Sequence, residues 1–378
     1  RTRMSLAYNF SGVLPFSDEI QVLAYTQDSE TVQFTLENRL PPGPTSVAQN
    51  RSRNSIFEQQ IDGILVSARK DIEFGSVVHR LVYGSEYYST ENKTLRDGGT
   101  TEALTGVTVR EFFPLPTRDF PVTEVDQLAF FVQDEIELMN GRLILSPGIR
   151  YDDFEAKATA DAIYLAGNPG ISAPEDFSDS EVTAKLGVVY EFTSDLSIYG
   201  NVSEGFRAPP YDDVNVGFTN FIGGYKTISN AALESETSIG YEIGTRLRGG
   251  WGSVNVAVFK NDYENFIESL ATAPAFADSG GIDPADGLLT FQSVNLSEVE
   301  IKGLELSGEL SLAPLNDSLE GSAFKFALAY AEGENIAAAE PLDSIEPLSA
   351  VFGLTYDAPS GKWGGDLVFS LAKGKDAS

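Results

Sequence analysis

The 378-residue chain contains no cysteine, which excludes a disulfide framework and any thiolate metal site within it. It has a single histidine, His79. Neither a histidine-rich metal centre nor a Ser-His-Asp triad can therefore be assembled from this chain alone. Long apolar runs are missing too. No stretch approaches the roughly 18 residues that a membrane-spanning helix needs, which rules out helical insertion and leaves strands open. Basic residues are scarce, 26 against 56 acidic ones, for a formal charge of −30. Without a basic surface to release counterions, nucleic acid is not an expected partner. The acidity suits a solvated, self-repelling surface or acidic loops that hold cations or a basic ligand. The chain opens at Arg1 with no signal peptide and stops at Ala377-Ser378 directly after a strand-like run, so both ends read as cut and the absent leader is silent about compartment.

Apolar residues make up 42% of the chain and aromatics 11%, enough surface to drive folding. Length alone allows two or three soluble domains or one large sheet closed on itself. The pattern decides between them. In Val182 to Phe192, Ala184, Leu186, Val188, Tyr190 and Phe192 share one face while Lys185 and Glu191 take the other, the alternation of an amphipathic strand. After Thr193-Ser194-Asp195, Leu196, Ile198, Gly200 and Val202 continue one face against Ser197, Asn201 and Ser203, which completes a hairpin. Similar hairpins are predicted for 240–247 with 252–259, for 348–356 with 363–371, and for 126–138 with 142–151. The last carries an Asn140-Gly141 pair, a strong two-residue turn signal.

Between hairpins lie long polar connections at 27–55, 89–125, 152–181, 204–238, 264–296 and 331–347, alternating strictly with short ones. Long structureless loops are uncommon in compact soluble domains, whereas transmembrane β-barrels combine short turns at one rim with long loops at the other. With further strands near 5–10, 19–25, 56–67 and 74–87, about 14 strands of about 10 residues are expected, the length that a tilted strand needs to cross a bilayer. The fold class is all-β, an antiparallel up-and-down transmembrane barrel. Aromatics near strand ends, among them Tyr87-Tyr88, Phe112-Phe113, Phe130-Phe131 and Tyr190 with Phe192, suit an interfacial girdle.

Two motifs carry a resemblance. Ser203-Glu-Gly-Phe206-Arg207-Ala208-Pro209-Pro210, followed by Tyr211-Asp-Asp, resembles the FRAP-type box of TonB-dependent haem and haemoglobin receptors. Ser229-Asn230-Ala-Ala-Leu233 is similar to their NPNL-type box, of which it retains Asn230 and Leu233. Segments 258–267 and 295–305 match the broader receptor family. The resemblance covers most of 127–371 and implies a barrel of about 22 strands around an N-terminal plug. Residues 1–378 would form part of that barrel, with the plug and the first and last strands outside the chain. It also implies an outer membrane, the TonB-ExbB-ExbD energy-coupling system as partner, no permanent cofactor, and haem or haem from a haemoprotein as transported ligand, with a ferric siderophore as the alternative.

On this reading Phe206, Arg207, Ala208, Pro209, Tyr211, Tyr225, Asn230 and Leu233 are the ligand-binding candidates. Arg207 could grip a carboxylate in bidentate fashion or cap the loop by pairing with Asp212 or Asp213. Receptors of this kind place a histidine ligand between the two boxes, and 206–233 holds none; Tyr211 or Tyr225 could substitute as an axial oxygen ligand, packing within the loop being the other reading of these tyrosines. His79 is expected to be lumen-facing and hydrogen-bonded rather than a metal ligand. Glu242 and Glu305 fall where related receptors point carboxylates at plug arginines. A passive porin and a secreted acidic β-protein are the remaining readings. Adjacent carboxylates such as Asp152-Asp153 point to opposite faces of a strand and suit acid–base chemistry poorly, so no enzyme is expected.

Overall fold

The structure, a computed structural model, describes residues 1–41, 46–111, 114–168, 173–220, 223–342 and 344–374. Eighteen strands make one sheet. They are β1 (Thr2–Ser11), β2 (Glu19–Arg39), β3 (Gln49–Phe74), β4 (Val77–Glu102), β5 (Thr108–Val109), β6 (Val122–Leu138), β7 (Leu143–Thr159), β8 (Phe177–Glu191), β9 (Leu196–Arg207), β10 (Gly217–Asn220), β11 (Tyr225–Ile228), β12 (Glu236–Gly249), β13 (Gly252–Thr272), β14 (Leu289–Ser311), β15 (Ser322–Asn335), β16 (Glu340–Pro341), β17 (Ser349–Asp357) and β18 (Gly364–Ala372). Fourteen of them are long and form an antiparallel meander in which each pairs with the next. The four short strands, β5, β10, β11 and β16, belong to the long connections, and β11 runs parallel to β14, Tyr225 opposite Leu289. Among the described residues β1 pairs only with β2, and β18 only with β17. No helix of the described residues is long and apolar enough to cross a membrane.

The two faces of the meander differ throughout. On β8 and β9, Leu186, Val188, Ile198 and Val202 lie on one face, and the pairing register carries that face across to Tyr241 and Ile243 of β12, then Val258 of β13 and Leu304 of β14. This apolar face is open: Leu6 is 75% exposed, Ile243 58% and Phe369 55%. A contiguous apolar surface of that extent is not sustained in water. It suits a hydrocarbon surround, in which every backbone polar group must be paired within the sheet. The opposite face carries Arg80, Glu86, Glu135, Arg150 and Asp152, linked by ion pairs from Arg80 to Glu135 and from Arg150 to Glu86 and Asp152.

Four expectations from the sequence are corrected by the structure. First, β2, β3 and β4 run for 21, 26 and 26 residues, so most of what reads as connection in 27–55 and 89–125 is strand. The register is unbroken from Glu19 opposite Arg69 to Arg39 opposite Gln49. At about 3.3 Å per residue such strands reach about 70 Å, more than twice a bilayer core, so the ladder runs on past it; β2 keeps its alternation there, with Val32, Phe34 and Leu36 on one face and Gln33, Thr35 and Glu37 on the other, while 51–55 of β3 is polar on both faces. Second, Phe74 ends β3 instead of beginning β4, because Gly75 (φ +62°) turns the chain. Third, the β6–β7 turn is centred on Met139 (φ +55°) and Asn140 (φ +58°), closed by Gly141 N–H to Leu138 O at 3.1 Å. That is one residue before the expected Asn140-Gly141 pair. Fourth, adjacent aromatics split between faces: Phe130 lies on the apolar face and Phe131 on the polar one, as do Tyr87 and Tyr88 respectively. Only one ring of each such pair can join an interfacial girdle; Phe112 and Phe113 lie outside the described residues.

Candidate functional site

The candidates gather where the long connections emerge. β9 ends with Phe206 on the apolar face and Arg207 on the polar face, because pairing with β12 places Phe206 opposite Thr237 and Arg207 opposite Glu236. The Arg207 guanidinium donates to Glu236 Oε2 at 2.8 Å. The same oxygen accepts the Ile267 N–H at 2.9 Å. Glu236 is buried, and a buried carboxylate needs such partners. Arg207 therefore pairs across the hairpin, and not with Asp212 or Asp213 as one reading of the sequence had it. Asp213 instead accepts the Ser269 hydroxyl at 3.1 Å.

After Ala208 and the fully buried Pro209, a short helix α1 (Tyr211–Asn215) turns the chain back. Its Val214 packs with Leu233 and Ile267 in one buried cluster, each side chain contributing about 1.5–3 kcal/mol by leaving water. Asn230 fastens the second box. Its backbone N–H donates to Asp213 O at 3.3 Å and its side-chain amide to Ser293 O at 2.9 Å. The two sequence boxes thus form one knot that ties 208–215 and 229–235 to β13 and β14.

Tyr211 packs edge-on against Phe120, centroids 5.3 Å apart. Burial, reinforced by Asp212, pushes its hydroxyl well above the usual tyrosine range. Burial likewise raises the Asp212 carboxyl, with Asp213 adding to it. Tyr225 sits elsewhere, between Phe218 at 5.8 Å and Phe291 at 6.2 Å. The guanidinium of Arg96 lies 4.8 Å over the Phe218 ring and pairs with Asp119 at 2.6 Å. Burial holds Asp119 above the ordinary carboxylate range against the opposing pull of Arg96. Next along the chain, Lys226 is bracketed by Asp283 at 2.6 Å and Asp286 at 2.8 Å.

The remaining candidates lie apart. Glu242 and Glu305 are on the polar face of β12 and β14, opposite Phe259 and Ala257 of the intervening β13. Both are exposed and make no hydrogen bond or ion pair among the described residues. His79 stands at the opposite end of the sheet, close to the Gly75 turn. Its Nδ1 is 2.6 Å from Asp134 Oδ2, which agrees with a hydrogen-bonded histidine. The register, however, puts both groups on the apolar face with Leu81 and Val132. The expectation of a lumen-facing side chain fails because the unbroken period-two register of β4 sets His79 on the same face as Leu81, Tyr83 and Tyr87. Among the described residues no group of three or more His, Asp or Glu side chains could hold a metal.

A cluster of arginines was not singled out from the sequence. Arg39, Arg51 and Arg53 share the polar face of the β2–β3 extension, with Glu37 accepting from Arg39 at 2.9 Å and from Arg51 at 3.4 Å, and Glu111 from Arg53 at 2.5 Å. Burial lowers the basicity of Arg51, and the like charges of Arg53 and Arg39 add to that. The only signal was the period-two spacing of Arg51 and Arg53 in a chain poor in basic residues, within a segment that read as loop.

The family description "TonB dependent receptor-like, beta-barrel" matches residues 1–377. The chain belongs to this family. Its sheet is accordingly the wall of a TonB-dependent receptor barrel, with the apolar face outward and the polar face toward the lumen. Curated relatives include the "Hemoglobin and hemoglobin-haptoglobin-binding protein A" of Haemophilus influenzae, 27% identical over 207 residues, which are 55% of this chain and 19% of that protein. Another is the "Hemoglobin-haptoglobin utilization protein B" of Neisseria meningitidis serogroup C, 28% identical over 242 residues, 60% of this chain and 29% of the relative. The chain thus spans less than a third of the length of these relatives. Among solved structures, the copper transporter OprC superposes with a TM-score of 0.73 at 16% identity, over 98% of this chain and 52% of that one. The Serratia marcescens hemophore receptor HasR, solved with its hemophore HasA and heme, gives 0.69 at 14%, over 98% and 58%. At these identities the likeness is one of fold. The relatives are receptors and transporters, and the strict alternation of short and long connections is the barrel's division into two rims.

Proposed function

We propose that this receptor wall belongs to an outer-membrane transporter that takes up haem, free or drawn from a haemoprotein, with TonB-ExbB-ExbD supplying the energy through a plug. The observation that carries the reading is the match to haemoglobin-binding relatives over half the chain or more. The geometry supports it. Phe218, Tyr225 and Phe291 form an aromatic cluster beside Arg96, and a flat anionic macrocycle suits such a combination of rings and positive charge.

Of the two candidate axial ligands, Tyr225 is favoured, because the raised pKa of Tyr211 opposes the phenolate that would bind iron. Arg207, Asn230 and Leu233 act on this reading by shaping the loop, their polar groups being spent on Glu236, Ser293 and Asp213. Glu242 and Glu305, unpaired on the lumen face, are free to meet cationic groups of a plug.

Haem titration of the full-length receptor in detergent tests the reading through the Soret band, with Tyr225→Phe, Tyr211→Phe and His79→Ala compared with the wild type. Saturable binding whose spectrum changes only in Tyr225→Phe is expected. Absence of binding to haem and haemoglobin by the wild type would turn the assignment to a ferric siderophore.

A further inference from the structure

We propose that the lumen face of the β2–β4 extension holds an anion site, built on Arg51 and Arg53, that grips the carboxylate groups of the transported ligand. The inference rests on the haem reading above, in which those groups are the porphyrin propionates.

Arg51 and Arg53 stand two residues apart on β3 and so project from the same face. The pairing of β3 with β4 is unbroken from Gln49 opposite Glu102 to Phe74 opposite Val77, so that face is continuous with the one carrying Glu86 deeper in the lumen. Three guanidiniums, those of Arg39, Arg51 and Arg53, are served by two carboxylates, Glu37 and Glu111. A third carboxylate on this face, Glu102 opposite Gln49, accepts the Thr105 hydroxyl at 2.7 Å.

The donors are incompletely used. The Nε atoms of Arg51 and Arg53 are both buried without a hydrogen-bond partner, and the Arg53 side chain is only 10% exposed. A buried guanidinium N–H that lacks an acceptor carries an unmet desolvation cost, which an anionic oxygen relieves most effectively of all acceptors. Opposite Arg53 stands Gly98, where a Cβ would come within 2.2 Å of the Ser52 carbonyl oxygen, so the strand facing Arg53 presents no side chain there. Arg96 is the diagonal neighbour of Arg53 on this face and reaches the Phe218 ring. The row of cations therefore leads directly to the aromatic cluster, and a ligand with an apolar plane and a carboxylate edge can use both. Arg207, by contrast, is committed to Glu236 at 2.8 Å.

The test compares haem with haem dimethyl ester, which keeps the macrocycle and masks the carboxylates, titrated against the full-length receptor in detergent. The wild type is expected to prefer haem by about tenfold or more. Arg51→Gln with Arg53→Gln should bind both porphyrins alike at the affinity of the ester, and Arg53→Lys, which keeps charge but loses the fork, should fall between. The ligand comparison needs only the wild type, so a variant that fails to fold does not remove it. Equal affinity of the wild type for the two porphyrins overturns the proposal, as does a double variant that folds and keeps the preference. A wild type that binds neither porphyrin removes the haem reading itself, and this inference with it.

Discussion

Replacing Arg207 by alanine is expected to loosen the loop assembly at its root. Glu236 is 8% exposed and holds both Arg207 at 2.8 Å and the Ile267 N–H at 2.9 Å. Breaking a fully buried ion pair by removing one partner costs about 3–5 kcal/mol. Two features reduce that figure here. The Arg207 side chain is 49% exposed, so water replaces part of what it supplied, and Glu236 retains the Ile267 N–H. A cost of about 1–3 kcal/mol follows, or roughly a 5- to 150-fold rise in local opening. Hydrogen exchange of the full-length receptor, followed by mass spectrometry, reads this directly. Peptides covering 208–235 and 264–272 should exchange faster in Arg207→Ala, while the strand bodies at 240–258 should not change. Adding Glu236→Leu removes the stranded carboxylate and should recover part of the loss, so the two substitutions must couple. Unchanged exchange in Arg207→Ala would refute the knot, and so would single effects that add within about 0.5 kcal/mol in the double variant.

Leu233→Ala empties part of the cluster with Val214 and Ile267 and should cost about 2–3 kcal/mol, seen as faster limited proteolysis within 208–235. Lys226 first and the Ala285 N–H second hold Asp283 below its ordinary pKa. A carboxyl depressed on folding adds stability above its unfolded pKa that is lost as pH falls through the depressed value, so protection of 273–288 should decline below about pH 4; Lys226→Gln should abolish most of that pH dependence. The β6–β7 turn holds Met139 and Asn140 at φ +55° and +58°. Rewriting the pair as Met139→Asn with Asn140→Gly supplies the residues that such a turn prefers and should stabilise it by about 1 kcal/mol, measured as a higher urea midpoint for refolding into micelles.

How much of the site was readable from the chain depended on which physical rule was in force. Leu233 and Asn230 could be picked out as box residues, since short motifs survive as strings of letters. Their use could not be read, because Asn230 meets Ser293, and Leu233 meets Ile267, only after the chain has crossed two further strands. Glu236 was passed over for the same reason: nothing local distinguishes it from its acidic neighbours until β12 pairs with β9 and sets it opposite Arg207.

By itself the sequence determined the all-β class, about 14 long strands, and the division into a short-turn rim and a long-loop rim. Period-two alternation is imposed wherever one face meets hydrocarbon and the other the lumen, and it can be read without knowing any partner. Tertiary structure alone decided how far β2, β3 and β4 extend, which face His79 takes, and that Arg39, Arg51, Arg53 and Arg96 lie together. Residues 51–55 of β3 are polar on both faces, so there only the hydrogen-bonded register between strands keeps count of the faces and brings residues distant in the chain to one surface.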